Sequence, residues 1–114
     1  MAKITDVQVT DNSEEVLKAF HDQVVLGRKA IAEEAEGYAK EDCPVDTGRL
    51  RDSISNDVDE DGRIAYIGTN VEYAPFVEYG DNATHKTGKA HFLRDAASTH
   101  GEHYRSIMQS ALDA

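Results

Sequence analysis

The longest regular pattern in the chain lies in residues 13–44, which read SEEVLKAFHDQVVLGRKAIAEEAEGYAKEDCP. Apolar or small residues recur there every three or four positions, which is the spacing of one face of an α-helix. This face comprises Val16, Phe20, Val24, Gly27, Ile31, Ala35 and Tyr38. Pro44 excludes helix beyond about Asp42, because the residue before a proline is kept out of the helical region. Such a helix would be about 45 Å long, so one end should project from a small domain or pack on another subunit.

The residues at the start of this helix carry capping signals. Asn12 or Ser13 can cap the first turn, and Glu15 follows Asn12 at the spacing of a capping box. Gly27 lies in the middle of the apolar face, where it is either a weak point of the helix or a place of close approach. The preceding residues 1–11 are predicted to be an arm or an edge strand.

The segment after the helix predicts a β-hairpin. Residues 44–52 are typical of a tight turn that leads out of the helix. Residues 63–69 are rich in β-formers and residues 53–58 are a weaker candidate strand. Between them lies Asp59-Glu60-Asp61-Gly62, a turn sequence. We therefore expect two antiparallel strands, which extend into a small sheet.

The last third of the chain predicts two helices joined by a loop. A short helix is expected near residues 72–79, with Pro75 in its first turn and with Tyr73, Phe76 and Tyr79 packed on the hairpin. Residues 81–90 contain no large apolar residue and are predicted to be a flexible loop. A C-terminal helix is expected over 93–112, although Gly101 interrupts it. The predicted fold class is α+β, in one domain that spans residues 1–114.

Composition narrows the classes of function. The 114 residues carry a net charge of −10 and one cysteine, Cys43. A single cysteine excludes an internal disulfide framework and a multi-cysteine zinc site. No apolar run approaches the ~20 residues of a spanning helix, so we expect no membrane insertion. The acidic balance argues against a protein that wraps nucleic acid, because neutralising phosphates requires clustered Lys and Arg.

The acidic residues are concentrated in the first half of the chain. Residues 1–61 carry 16 acidic and 7 basic residues, whereas residues 62–114 carry 6 and 5. A solvated surface is the common meaning of such a charge run. The alternatives are a surface that must not adhere to a polyanion and an adaptation to high salt.

Two sequence patterns could indicate catalysis or metal binding, and the first is the Asp-Thr-Gly triplet. Asp46-Thr47-Gly48 is the triplet of aspartic proteases, and two copies of a chain this size could share the proton that activates water. That triplet normally follows an apolar strand, whereas here it follows a helix and Pro44. The triplet is better interpreted as a turn, and a dimeric protease remains the alternative.

Four histidines lie in the last third of the chain, and they suggest a metal site only weakly. His100 and His103 would share one helical face with Glu102 nearby, but zinc needs a third ligand and a supporting shell. His85 and His91 lie in or beside the 81–90 loop. We expect surface histidines, with no metal and no cofactor. A metal-binding regulator and an adaptor subunit are the remaining alternatives.

Three segments together resemble a known family. Residues 43–54 (CPVDTGRLRDSI) are similar to "aPvDTGrLrdSi", residues 69–80 (TNVEYAPFVEYG) to "tnveYApyvEfG", and residues 91–96 (HFLRDA) to "PFlrpA". In order and spacing they resemble the tail-completion family of long-tailed phages and prophages, whose members are also called minor tail, neck or head–tail joining proteins. His91 and Asp95 stand where the family usually has proline, which affects only where the last helix begins.

The resemblance implies a structural protein of the virion and no catalysis. Members of that family assemble as a ring, typically a hexamer, at the head-proximal end of the tail. The implied partners are further copies of the chain, a head-connector or stopper protein, and the tail tube or tail terminator protein. Assembly would take place in the host cytoplasm, and DNA would pass through the channel without specific binding.

This interpretation predicts roles for individual residues. Asp46, Thr47, Gly48 and Arg49 are expected to fix the turn between helix and sheet. Tyr73, Pro75, Phe76 and Tyr79 are expected to serve packing or a subunit interface. The acids of the hairpin are candidates for the lumen or rim of a ring, where they would repel DNA phosphates. These are Asp57, Asp59, Glu60 and Asp61.

Overall fold

The computed structural model describes residues 11–45, 48–79 and 90–113. The order of elements is α1 (Ser13–Asp42), α2 (Arg49–Ser53), β1 (Ser55–Val58), β2 (Ala65–Gly68), α3 (Ala74–Glu78), α4 (Phe92–Ser98) and α5 (Gly101–Asp113). This is the α+β architecture expected from the sequence. The arm predicted for residues 1–11 lies outside the described residues except for Asp11, and the 81–90 loop lies outside except for Ala90.

Helix α1 is the central packing element of the molecule, and it has the predicted bounds. The hairpin, α4 and α5 all pack on it. Its buried positions are Gly27, Ala32, Ala35 and Ala39, all small residues that let neighbouring elements approach the helix closely. The first three turns do not join this packing, because every residue from Asp11 to Asp22 is exposed. The prediction that one end of the helix projects is thus confirmed.

The predicted capping box at the start of α1 is wrong. Asn12 makes no side-chain cap. The carboxylate of Asp11 accepts hydrogen bonds from the backbone N–H of Ser13 at 3.0 Å and from its hydroxyl at 2.6 Å. These bonds lower the pKa of Asp11 from its ordinary value. The carboxylate stabilises the start of the helix because it accepts a hydrogen bond from a free N–H and also faces the positive end of the helix dipole.

Gly27 is a place of close approach between α1 and α5. A Cβ at this position would lie 2.6 Å from Sδ of Met108 and 3.2 Å from Cβ of Ala111. The glycine therefore lets the two helix backbones come together where the apolar side of α5 crosses α1. Of the two interpretations that the sequence leaves open, the structure supports this one.

The hairpin is shorter than predicted, and its first part is helical. Residues 49–53 form the single turn α2 instead of a continued tight turn, and β1 begins only at Ser55. Strands β1 and β2 pair antiparallel, with Asn56 opposite Ile67 and Asp57 opposite Tyr66. Two bonds hold the hairpin on α1. Asn56 Nδ2 donates to Glu36 at 3.1 Å, and the guanidinium of Arg28 donates to the carbonyl of Gly62.

The predicted C-terminal helix is in fact two helices. α4 ends at Ser98 and α5 begins at Gly101. Ser98 and Thr99 turn their hydroxyls back onto the carbonyls of Arg94 and Asp95. Such bonds compete with the backbone ladder, so the break falls at Thr99 and His100, directly before Gly101. Tyr104 then donates its phenolic O–H to the carbonyl of Ala96, which fixes α5 against α4.

One core cluster joins the elements. Its buried members are Ala39, Cys43, Leu50, Ile54, Val71, Ala74, Phe92 and Ala96. Phe92 is the largest fully buried side chain in the described part of the chain. No helix among the described residues combines the length and the apolar character needed to cross a bilayer.

Two glycine-to-alanine substitutions should have opposite effects on stability. Gly62 has φ +69°, and a Cβ there would lie 2.2 Å from Cγ2 of Val25. Gly62→Ala should therefore lower the free energy of unfolding by about 2 kcal/mol or more. Gly37 lies on the exposed side of α1, where a Cβ meets nothing within 4 Å. Gly37→Ala should raise stability by about 1 kcal/mol. Urea unfolding followed by circular dichroism measures both, and a shift of the same sign would contradict the packing described.

Candidate functional site

The first two of the similar segments meet through hydroxyl groups. Ser53, at the end of α2, donates to the carbonyl of Leu50 at 2.6 Å, and its hydroxyl also shares a hydrogen bond with that of Thr69. Thr69 in turn accepts from the backbone N–H of Val71 at 3.1 Å. This short chain of bonds ties the end of α2 to the segment that leads from β2 into α3.

Arg49 makes a second link between the same two segments. Its guanidinium lies 3.9 Å from a carboxylate oxygen of Glu72 and 5.5 Å from the centre of the Tyr73 ring. Both contacts are at the surface, so each contributes at most about 1 kcal/mol. Their main effect is to orient the first residue of α2 relative to the segment that leads into α3.

Cys43 follows the end of α1 and is buried in the same core cluster as Leu50 and Ile54. Burial is the main reason that the pKa of its thiol is raised to about 11. The thiol is therefore protonated at neutral pH and acts as a small apolar group that fills the end of α1.

Glu78 joins the second segment to the third. Its side-chain oxygens accept from the backbone N–H of Leu93 at 3.0 Å and of Arg94 at 2.9 Å. Its own carbonyl accepts from the N–H of His91 at 2.8 Å. Glu78 is the one charged residue among the buried polar residues of the described chain, at 6 % exposure. The carboxylate thus satisfies two free N–H groups at the start of α4 and faces the positive end of that helix.

No role for Glu78 was predicted from the sequence, in which it stands within the second similar segment. A usable signal is present, because Glu78 stands among Phe76, Val77 and Tyr79. An acid in an apolar stretch of a folded chain needs a partner, since burying an unpaired carboxylate is costly. The partner could not be inferred, because it lies across residues 80–89.

His91 occupies the residue before α4 and has a left-handed backbone, with φ +61° and ψ +29°. In the described part of the chain it is the one non-glycine residue with positive φ. Its ring contacts that of Tyr79 edge to face, with centroids 6.3 Å apart. Proline, the usual family residue by the resemblance, cannot adopt this φ.

The predicted turn residues are only partly described. Asp46 and Thr47 lie outside the described residues, so their role in the turn stays a prediction. Gly48 is the residue before α2 and has φ +84°, a conformation that favours glycine. The chain reaches this point from the end of α1 through Pro44, and not from the apolar strand that an aspartic protease requires.

The expected packing of the aromatic residues of α3 is wrong for two of them. Tyr73 is half-buried against the core, but Phe76 is 80 % and Tyr79 74 % exposed. α3 instead turns Ala74 and Glu78 inward. Glu78 must face α4 to bind its N-terminus, so positions 76 and 79, on the other side of the helix, face outward. Pro75 is exposed as well.

The acids of the hairpin differ in their local roles. The side chain of Asp59 accepts from the N–H groups of Arg63 and Ile64 at 2.7 and 3.1 Å, which closes the turn. Asp57, Glu60 and Asp61 are exposed. Three of the four predicted acids therefore present their charge to the surroundings, and Asp59 shapes the loop that carries them.

His100 and His103 lie in an aromatic cluster between α1 and α5. The ring of His100 stacks on that of Tyr38, with centroids 3.5 Å apart, and Nε2 of His103 is 3.5 Å from Glu34. Burial, followed by Tyr38 and Glu34, raises the pKa of Tyr104 in the same cluster. Within the described ranges, no three His, Cys, Asp or Glu side chains are grouped to hold a metal ion. His85 lies outside those ranges.

One comparison with known proteins identifies a relationship. The family model described as "Bacteriophage HK97-gp10, putative tail-component" matches residues 7–80. The match contains the first two segments in full and ends at Gly80, before the third. Comparisons with curated proteins and with solved structures give no match.

Removal of the Glu78 carboxylate should destabilise the fold. Glu78→Ala leaves the N–H groups of Leu93 and Arg94 without their acceptor, so we expect a loss of about 2–3 kcal/mol in urea unfolding. Glu72→Ala is the matched control, since that side chain is 82 % exposed and should cost about 0.5 kcal/mol or less. Equal losses in the two variants would contradict the role given to Glu78.

Substitutions of His91 should separate its backbone requirement from its ring. His91→Pro fixes φ near −65° and removes the N–H that bonds Glu78, so it should cost about 3 kcal/mol or more. Asparagine tolerates the left-handed region, so His91→Asn should leave the melting temperature nearly unchanged. A stable proline variant would show that α4 can start in another conformation.

Proposed function

Because the chain belongs to the HK97-gp10-like family of bacteriophage tail components, we propose that it is a structural subunit of the phage neck. In this proposal several copies form a closed ring at the head-proximal end of the tail. The ring joins the tail to the head connector, and DNA passes through its centre. The protein acts by shape and makes or breaks no bond.

The observation that carries this proposal is the exposed aromatic pair of α3, Phe76 and Tyr79. Aromatic side chains are enriched at the buried centres of protein interfaces. This pair is presented rigidly, because Glu78 between them is bonded to α4. A solvent-facing pair held in this way is suited to bind a neighbouring copy, which is the interface role expected for these residues.

A ring also needs a second, different surface on each copy. Head-to-tail contacts between identical subunits join two distinct patches, and they close when the rotation per subunit allows it. Residues 13–22, the first turns of α1, project from the packed body and are exposed at every position. They offer a surface different from that of α3, so the chain has two distinct patches for a cyclic assembly.

The three exposed acids of the hairpin are proposed to face the lumen or rim. Asp57, Glu60 and Asp61 lie on a hairpin that two bonds to α1 hold in place. Negative charge fixed along a channel repels phosphates and keeps the duplex from adhering as it passes. Asp59 belongs to the same surface, although its carboxylate also closes the turn.

Loss of the aromatic pair should dissociate the assembly without unfolding the subunit. In Phe76→Ser/Tyr79→Ser we expect self-association at least about thirtyfold weaker per contact, the effect of losing about 2 kcal/mol. Sedimentation velocity measures this, and circular dichroism should be unchanged. Tyr66→Ser is the matched control, because Tyr66 is an exposed aromatic residue of the hairpin. Equal dissociation by the control, or none by the double variant, would refute the assignment.

Neutralising the hairpin acids should increase adhesion to DNA. We expect Asp57→Asn/Glu60→Gln/Asp61→Asn to keep the mass of the assembly and to bind linear duplex more tightly at low salt, with binding lost as salt rises. The control, Glu14→Gln/Glu15→Gln/Asp22→Asn, removes three acids from the exposed residues 13–22 of α1. Equal adhesion by both variants in a filter-binding assay would show that overall charge, and not a lumen position, is responsible.

A further inference from the structure

The first turns of α1 carry an exposed apolar stripe, made of Val16, Leu17, Phe20 and Val24. These side chains lie within about 100° of one another around the helix. The first three are 56 %, 66 % and 57 % exposed, and Val24 is half-buried. The same face continues to Gly27, where α5 packs on it. The stripe is thus the exposed continuation of a surface that elsewhere packs against a helix.

The aromatic pair of α3 in the same copy lies too far from this stripe to cover it. Ala74 of α3 belongs to the core cluster with Ala39 and Cys43, at the C-terminal end of α1. Phe20 precedes Ala39 by nineteen positions, which is about 28 Å along a helix. A contact between the stripe and α3 therefore joins two different copies.

The described residues of a second copy offer three exposed apolar patches that could cover the stripe. One is the same stripe on that copy. The others are Ile64 with Tyr66 on the hairpin, and Phe76 with Tyr79 at α3. The charges around each patch decide which of them fits.

The stripe and the hairpin both lie among acidic residues. Residues 11–22 carry four acids, Asp11, Glu14, Glu15 and Asp22, against one base, Lys18. Residues 57–66 of the hairpin likewise carry four acids against one base. Placing either patch on the stripe of another copy brings like charges together, which disfavours the contact.

The surroundings of α3 are balanced in charge. Glu72 lies 3.9 Å from Arg49, and Asp95 lies 3.2 Å from Arg94. Both guanidiniums belong to side chains that are more than half exposed, at 58 % and 63 %. They can face the acids of α1 when α3 meets the stripe, so this patch approaches an acidic surface without net repulsion.

We propose that Phe76 and Tyr79 of one copy bind the apolar stripe of the next copy. This inference rests on the proposed function, because it names the surface that the aromatic pair binds within the ring. The stripe and the pair are different patches on each copy. One contact, repeated head to tail, therefore joins every copy to the next.

Mixing two variants of the full chain tests this contact. Val16→Ser/Phe20→Ser loses the stripe and keeps the aromatic pair, whereas Phe76→Ser/Tyr79→Ser loses the pair and keeps the stripe. Alone, each should associate with itself at least about thirtyfold more weakly than the unmodified chain. The mixture retains one intact contact, so it should form a dimer with one copy of each variant and nothing larger. Sedimentation velocity measures these species.

A matched control shows that the effect belongs to the stripe. Leu26 is 59 % exposed and lies on the other side of α1, well over 100° from Phe20. Leu26→Ser should therefore assemble like the unmodified chain. Circular dichroism should give the same helix content for all the variants, because every altered side chain is at least half exposed.

The outcomes separate this contact from the ring itself. Self-association of Phe76→Ser/Tyr79→Ser would overturn the proposal, because the stripe would then bind another patch. Normal assembly of Val16→Ser/Phe20→Ser would overturn it as well and leave the stripe to a different protein. A mixture without dimers, beside an unmodified chain that assembles, would refute the contact and retain the ring. An unmodified chain that stays monomeric would refute the proposed function and the contact together.

Discussion

The position of α4 against α3 depends on the buried carboxylate of Glu78. Glu78 ends α3 and binds the first N–H groups of α4 with both of its side-chain oxygens. The two helices are separated in sequence by residues 80–89, so this contact sets where the chain re-enters the body. It places Phe92 in the core beside Cys43 and Ala96. A carboxyl group can be buried there because the donors and the helix dipole compensate for its loss of water.

The same contact determines what the surface presents. Because α3 is a short helix with Ala74 and Glu78 turned inward, Phe76 and Tyr79 are held outward. We propose that other subunits of the virion cover Phe76 and Tyr79, since the chain belongs to a phage tail family. In that proposal, the bonds that join the three similar segments also position this contact surface.

The regular elements were predictable where a local pattern sufficed. The thirty residues of α1 follow from helical periodicity and from Pro44, and the hairpin follows from its turn. Contacts between segments distant in sequence were not predictable. The outward turn of Phe76 requires knowing that Glu78 binds α4, and the break before Gly101 requires the hydroxyl bonds of Ser98 and Thr99. An aromatic stripe by itself favours a core position, and that expectation was wrong for Phe76 and Tyr79.

We propose that the chain works as one of several identical copies in a closed ring. Electron cryomicroscopy of the purified full-length protein tests it most directly. We expect closed rings with an open centre, in which α3 of one copy meets the next copy and the hairpin acids line the opening. Solitary subunits, twofold dimers or open filaments would contradict it.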